Sequence, residues 1–557
     1  MDRRGSYQHD SSATSSIKEQ SDSTPPPRPI NDPELKAKAA QSTNKASDYI
    51  LVSTLCFFLA MGGFAFGYDT GSISGYINMP NFLEHFGQVN EDNEYYFSKV
   101  RSGLIVSMFS IGAVIGCLTS GKVADNYGRK VAIMTCAAIY IVGNLIQICS
   151  FDAWYQVMIG RIVGGVGIGG FSVCVPMFQS ETAPKDIRGT LVSSFQLFVT
   201  LGIFIGYCVC YGTNERTDTG AWRIPLGLTF LWALILLIGV AFMPESPRYL
   251  LSKDRVDEAL KSMCYVNKRD SDDPLIKLSM DEIVAAIEHE RDVGTAGWGQ
   301  VFIGNPRIGY RTLVGFMIQV LQQLCGANYF FYYGTSIFKA IGMENSFATS
   351  MIFGAVNFVS TFVSFYTVET FGRRSCLFWG AIAMFVFFVI YASLGTASLY
   401  PNGQSQPSDP QVGKGMIAVT CFFIFSFAVS WAPIAFVYCS EIYPLRVKSK
   451  CIGMATTGNW LFNFLISLFT PFITGAISFK YGYVFSGCLI FAAFFVFFCV
   501  HETKGLTLEQ IDQMYASRVL PWMSVQYGKD IYNDVQPSAA GYESKATAEH
   551  GTNSNTN

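Results

Sequence analysis

Asp69 stands in the stretch FGYDTG, residues 66 to 71, inside a run that is almost wholly apolar from Tyr49 to Gly75. A carboxylate at bilayer depth is a candidate proton relay or ion-pair member, and its partner has to lie at similar depth. Arg161, in the stretch GRIVGGVGIGG, is the matching cation. Seven amides also fall in apolar runs: Gln196, Gln322, Gln323, Asn328, Asn357, Asn459 and Asn463. An amide both donates and accepts, as a sugar hydroxyl does, so the set suits a neutral polyhydroxyl ligand rather than an ion. Gln323 and Asn328 are five apart, about 140° around a regular helix, so both face one ligand only if the helix is interrupted, as Gly326 between them allows.

The elements that must position these groups are long apolar helices. Of 557 residues, 50% are hydrophobic and only 14% charged, and the charges are crowded into 1–48, a middle stretch from 244 to 310, and the part after 500. Between them, uncharged runs of about 20 residues recur, the length that crosses a hydrocarbon core. About six spans fall in the first block, near 49–76, 102–123, 131–150, 154–178, 190–212 and 223–243. About six more fall in the second, near 311–338, 346–368, 376–396, 414–440, 451–474 and 483–500. The expected fold is therefore an all-α polytopic membrane protein.

Five regions follow. They are a disordered tail (1–48), a first six-helix half (49–243), a polar linker of short amphipathic helices (244–310), a second half (311–500) and a final tail (501–557). Alternate short loops carry the cations, with Arg129 and Lys130, Arg188, Arg373 and Arg374, then Arg446, Lys448 and Lys450, which predicts both termini in the cytosol. The run around 49–76 follows a long polar leader and exceeds a signal peptide's apolar core, so it is expected to be retained. The 15 cysteines fall mostly inside spans and read as small apolar fillers, neither a disulfide framework nor a metal site. A net charge of −2 offers no footprint for nucleic acid.

The two blocks repeat each other. DNYGRK (125–130) after the second span matches ETFGRR (369–374) after the eighth, and SETAPKDIR (180–188) after the fourth matches SEIYPLR (440–446) after the tenth. Two similar halves with a path between them is the plan of a carrier that rocks about a central site. The acids and arginines in these loops, Asp125, Arg129, Glu181, Arg188, Glu369, Arg373, Glu441 and Arg446, are expected to pair and latch the halves shut on the cytosolic side. The glycines flanking Asp69, Gly67 and Gly71, mark where the first span is expected to bend.

These motifs, with PESPR (244–248), QQLCGANYFFYYG (322–334), WAPIAF (431–436), TPFIT (470–474) and ETKG (502–505), resemble the sugar porter family of the major facilitator superfamily, most of all the yeast hexose transporters. The resemblance runs over about 49–515 and departs from the family at His501, where proline is usual. It implies the major facilitator fold with 12 helices, a hexose substrate (glucose, with fructose, mannose or galactose as alternatives), a plasma-membrane location and a monomeric functional unit. By motif position it implies sugar contacts from Gln196, Gln322, Gln323, Asn328, Asn357 and Asn459, pocket rings from Phe436 and Trp460, and an outer gate of Tyr332 and Tyr333.

Three functions stay open on the sequence. A facilitator moves hexose down its gradient; a proton symporter uses Asp69 and Arg161; a sensor binds sugar and signals through tails open to kinases and ubiquitin ligases. No nucleophile with a base, phosphate loop or metal spacing is present, so no enzyme, cofactor or metal is expected. The glycine-rich run 164–170 lies within a span, where small residues serve close helix packing.

Overall fold

The computed structural model describes residues 49–91, 93–184, 187–292, 297–340, 346–399 and 410–535. The polar ends 1–48 and 536–557, expected to be disordered, lie outside the described residues. A first set of helices comprises α1 (Tyr49–Tyr76), the short α2 (Pro80–Phe86), α3 (Lys99–Tyr127), α4 (Arg129–Ile148), α5 (Trp154–Thr182), α6 (Arg188–Thr213) and α7 (Gly220–Phe242). Between α2 and α3 lies a small antiparallel hairpin that pairs Gln88 with Tyr96. The polar middle forms α8 (Pro247–Ser252), α9 (Val256–Asn267), α10 (Pro274–Asp292) and α11 (Gln300–Ile303). A second set follows: α12 (Ile308–Leu324), α13 (Ala327–Ala340), α14 (Ser346–Phe371), α15 (Arg373–Ser393), α16 (Pro410–Val429), α17 (Trp431–Glu441), α18 (Lys448–Ile477) and α19 (Tyr481–Cys499). Two further helices, α20 (Leu508–Ala516) and α21 (Ser524–Val535), come after it.

Among the described residues, ten runs are long and apolar enough to cross a bilayer. One of these, Lys448–Cys499, holds 52 residues and turns between α18 and α19, so it supplies two crossings. α12, with 17 residues, is too short to be counted alone. It is separated from α13 at Gly326, whose φ of +89° is a backbone conformation that only glycine adopts without strain. The broken pair supplies the remaining crossing. Large apolar side chains such as Phe242, Trp379, Phe494 and Phe498 are exposed along these helices, the expected surface of a protein whose solvent is lipid.

α1 runs as one helix of 28 residues past Gly67 and Gly71. A Cβ at Gly67 would lie 1.8 Å from the carbonyl oxygen of Val199 on α6. The glycines let two backbones touch, which is how small residues associate helices where the hydrophobic effect cannot. Across the molecule, α3 packs on α18, α6 on α14 and α17, and α13 on α1, so first and second sets meet along two seams. The bundle has two ends. At one, the "linker end", Val266 of α9 packs with Val52 and Cys56 at the start of α1. At the other, the "loop end", Tyr76, Phe82, Trp222 and Tyr332 share a cluster.

Candidate functional site

The break at Gly326 aims the end of α12 and the start of α13 at one place. Gln319, Gln322 and Gln323 are three and four residues apart and share a face of α12, and Asn459 and Asn463 share a face of α18. Gln323 Nε2 donates to Asn459 Oδ1 at 2.7 Å, and Asn328 Nδ2 donates to Gln323 Oε1. Asn459 Nδ2 in turn donates to Gln319 Oε1 at 2.7 Å and Gln322 Oε1 at 2.6 Å. Gln322 Nε2 is spent on the carbonyls of Trp431 (3.1 Å) and Ala432 (2.9 Å), where α16 gives way to α17. The amide cluster is thus buried and bonded to itself, as polar groups at this depth must be.

The first set covers this cluster with rings. Trp460, fully buried, lies 4.9 Å from the Phe66 ring of α1 and 5.9 Å from that of Phe109 on α3. Phe436 lies 5.4 Å from Phe195 on α6, one residue before Gln196, which is itself buried. Ser110 Oγ of α3 donates to Asn463 Oδ1 at 2.9 Å, a direct bond between the sets. Asn357 stands apart: it is buried on α14, and among the described residues neither its Oδ1 nor its Nδ2 has a hydrogen-bond partner. Gln319 and Ser110 were not singled out in the sequence, although the spacing of Gln319 to Gln323 was a readable signal.

Toward the loop end the tyrosines close over the cluster. Tyr332 Oη donates to Asn463 Oδ1 at 3.2 Å and Tyr333 Oη to the Ser467 carbonyl at 2.5 Å. Tyr207 Oη of α6 donates to the Phe331 carbonyl at 2.8 Å, holding α13 against the first set. Asp69 and Arg161 lie nearby on α1 and α5, Arg161 Nη1 donating to Asp69 Oδ2 at 3.1 Å with both side chains 2% exposed. The Arg161 guanidinium also sits over the Phe109 ring at 4.7 Å. The pair ties two helices of one set, and Tyr332 of the second set lies within its electrostatic reach.

The linker end departs from the expected latch. Arg129 pairs with Glu181 at 2.9 Å and Arg373 with Glu441 at 2.8 Å, but each pair lies within one set and cannot hold the sets together. What crosses between them are carboxylates aimed at helix starts. Glu369 Oε1 accepts from the Thr190 backbone N–H (3.1 Å) at the start of α6, and Asp125 Oδ2 accepts from Ser449 Oγ at the start of α18. Lys448 Nζ adds a bond to Ser180 Oγ at 2.8 Å. The unsatisfied N–H groups and partial positive charge of a helix start attract a carboxylate there, and the sequence does not reveal which helix start it meets. Asp125 and Glu369 remain near Arg129 (3.8 Å) and Arg373 (3.3 Å) one turn along. Arg188 is buried in the first turn of α6, and Arg446 lies on the short turn before α18.

The same device recurs within each set. Glu245 accepts from the N–H groups of Arg129 (3.1 Å) and Lys130 (3.2 Å) at the start of α4, and Glu502 from those of Arg373 (2.8 Å) and Arg374 (3.1 Å) at the start of α15. Their following residues, Ser246 and Thr503, donate to Glu181 and Glu441 at 2.7 and 2.8 Å. Burial raises the Glu245 carboxyl above its ordinary value, against the pull of the Ser246 and Lys130 N–H groups. The motifs PESPR and ETKG thus do equivalent work in the two halves of the repeat.

Comparison with known proteins agrees with this geometry. Residues 55–515 match the family model described as "Sugar (and other) transporter". The low-affinity glucose transporter HXT1 of Saccharomyces cerevisiae is 52% identical over 512 residues, covering 90% of each chain. The high-affinity hexose transporter HXT6 of the same yeast is 52% identical over 482 residues, covering 86% of this chain and 85% of that one. Among solved structures, the proton:xylose symporter XylE bound to 6-bromo-6-deoxy-D-glucose superposes with a TM-score of 0.73 at 25% identity, over 85% of this chain and 100% of that one. With a two-set helical fold, a broken helix at a buried amide cluster and a family match over most of its length, the chain belongs to the sugar porters of the major facilitator superfamily.

Proposed function

We propose that this protein carries a neutral hexose, glucose first, across the plasma membrane by alternating access and down its gradient. The observation that carries the reading is the amide cluster. Gln322, Gln323, Asn328 and Asn459, joined by Gln319 and Asn463, meet between the two sets beneath rings of both, with contacts between sets closing each end. The cationic loops favour a cytosolic linker end with both termini on the same side, and on that reading the tyrosines face outside. In that frame residues 49–243 and 311–500 are the two moving halves, 244–310 their tether, and the outer segments 1–48 and 501–557 the parts that kinases and ubiquitin ligases meet. The working unit is one chain. Asn357, with both amide atoms unpartnered, is the group most ready to receive a hydroxyl.

Uptake of labelled glucose into proteoliposomes, with and without a pH gradient, tests this. Equilibration to the outside concentration, insensitive to a protonophore, is the expected result; accumulation that a protonophore collapses would replace it by proton symport. The symport reading draws on the buried Asp69–Arg161 pair. Coupling on that reading requires the pair to open during the cycle, so that Asp69 exchanges its partner for a proton. Absence of uptake and counterflow from folded protein would favour a sensor.

A further inference from the structure

A cleft of about 410 Å³ lies at the loop end, beside the tyrosine gate and on the far side of it from the amide cluster. Its walls come from both sets: Lys99 and Ser102 at the start of α3, Tyr329 and Tyr333 on α13, Thr470 near the end of α18, and Phe479 beyond it. The volume falls in the range of small-molecule sites, about 300 to 1,000 Å³. Among the described residues the lining has the composition a sugar needs, with rings for its C–H faces, hydroxyls and one ammonium for its oxygens, and no carboxylate. One of the hydroxyls is that of Thr470, which is buried within reach of Tyr481. Opposite, Lys99 reaches across the seam, and a Cβ at Gly475 would lie 2.4 Å from its Nζ.

We propose that this cleft is a second hexose subsite, one that holds sugar outside the tyrosine gate before it reaches the amide cluster. The inference rests on the transport reading above for its substrate and its sidedness. The cleft is wired to the gate: Tyr333, which lines it, donates to the Ser467 carbonyl, and Ser467 Oγ donates to Asn463 Oδ1 at 3.3 Å. Asn463 also bonds Tyr332 and Ser110, so sugar against Tyr333 loads the residues that must part for the gate to open. Because the subsite faces one side only, it changes the KM for influx and not that for efflux, and since a passive carrier keeps kcat/KM equal in the two directions the matching change falls on efflux kcat.

The double variant Lys99→Met/Thr470→Val, reconstituted with known sidedness, tests this by initial rates in both directions. Influx KM is expected to rise by about 3- to 10-fold as one or two hydrogen bonds to the sugar are lost, with influx kcat and efflux KM unchanged and efflux kcat falling by the same factor. An unchanged influx KM, or influx and efflux KM rising together as general damage would produce, overturns the subsite. A second arm separates this from the transport reading. Thr474→Cys on the Gln323→Ala background is labelled with a membrane-impermeant maleimide and read by mass spectrometry at position 474, with Ser102→Cys as the alternative wall should that variant not fold. Glucose that slows labelling supports the subsite even if the wild type moves no hexose, a result that would sink the transport reading alone; labelling indifferent to glucose overturns the subsite.

Discussion

Gln323 links α12, α13 and α18 in the site, donating to Asn459 and accepting from Asn328 and, at 3.5 Å, from Asn463. Gln323→Ala is expected to leave expression intact and raise the KM for glucose about 10-fold, since a neutral hydrogen bond is worth roughly 1 kcal/mol and more than one is lost; transport rates across a glucose series check it. Asp69 behaves differently because its partner is a buried cation. Asp69→Asn leaves Arg161 uncompensated and is expected to cost about 3–5 kcal/mol, whereas Asp69→Asn with Arg161→Gln recovers most of it. Melting of the detergent-solubilised protein distinguishes the two variants. At this scale the sequence was informative where chemistry shows in residue type: the amides and the Asp–Arg pair were legible. Ser110 was not, because a serine in an apolar helix is too common to signal a bond to another helix.

At the scale of elements, helix starts organise the linker end. Glu369→Gln removes a charge from the start of α6, worth about 0.3 to 1 kcal/mol, and is expected to shift the equilibrium several-fold toward the state open at that end. Faster alkylation of a cysteine placed at Thr190 measures the shift. The latch was misread from sequence because matching motifs reveal which residues are equivalent, not which helix start each one meets. The same end holds His501, where burial and the nearby Arg307, Arg311 and Arg374 push the imidazole down to about 4. Its Nε2 lies 2.9 Å from the Val519 carbonyl and its ring 4.7 Å from Tyr515 on α20, so it anchors the segment after the last span. The folded state resists a proton that the unfolded segment accepts, so anchoring is full above pH 6.5 and weakens as pH falls from there toward 4. Proteolysis after Lys504 or Arg518 is expected to quicken over that window, and His501→Gln to flatten the dependence.

For the whole molecule, bonds between the sets at both ends and through Ser110 describe a carrier closed on both sides. A ligand that binds this folded protein and not the unfolded chain stabilises it by about 2.7 kcal/mol at a hundred times its Kd. Glucose is therefore expected to raise the melting temperature of the wild type, and L-glucose to leave it unmoved. The helix count and the two-set plan were readable because span length is fixed by the bilayer. The affinity was not: relatives named low-affinity and high-affinity are equally identical to this chain, at 52%. Affinity is set by small displacements within a conserved kind of pocket, and a change of about 1 kcal/mol leaves no motif behind.

The self-bonded amides carry one more consequence. A hexose entering the cluster meets donors and acceptors already occupied, so each contact it makes exchanges one hydrogen bond for another of similar strength. Such a swap is nearly isoenergetic, so these amides orient the sugar more than they hold it. The same exchange run backward lets the cluster re-close as the sugar departs, with no unsatisfied amide left to delay it. The cluster can thus exchange partners in both directions without leaving a buried amide unbonded.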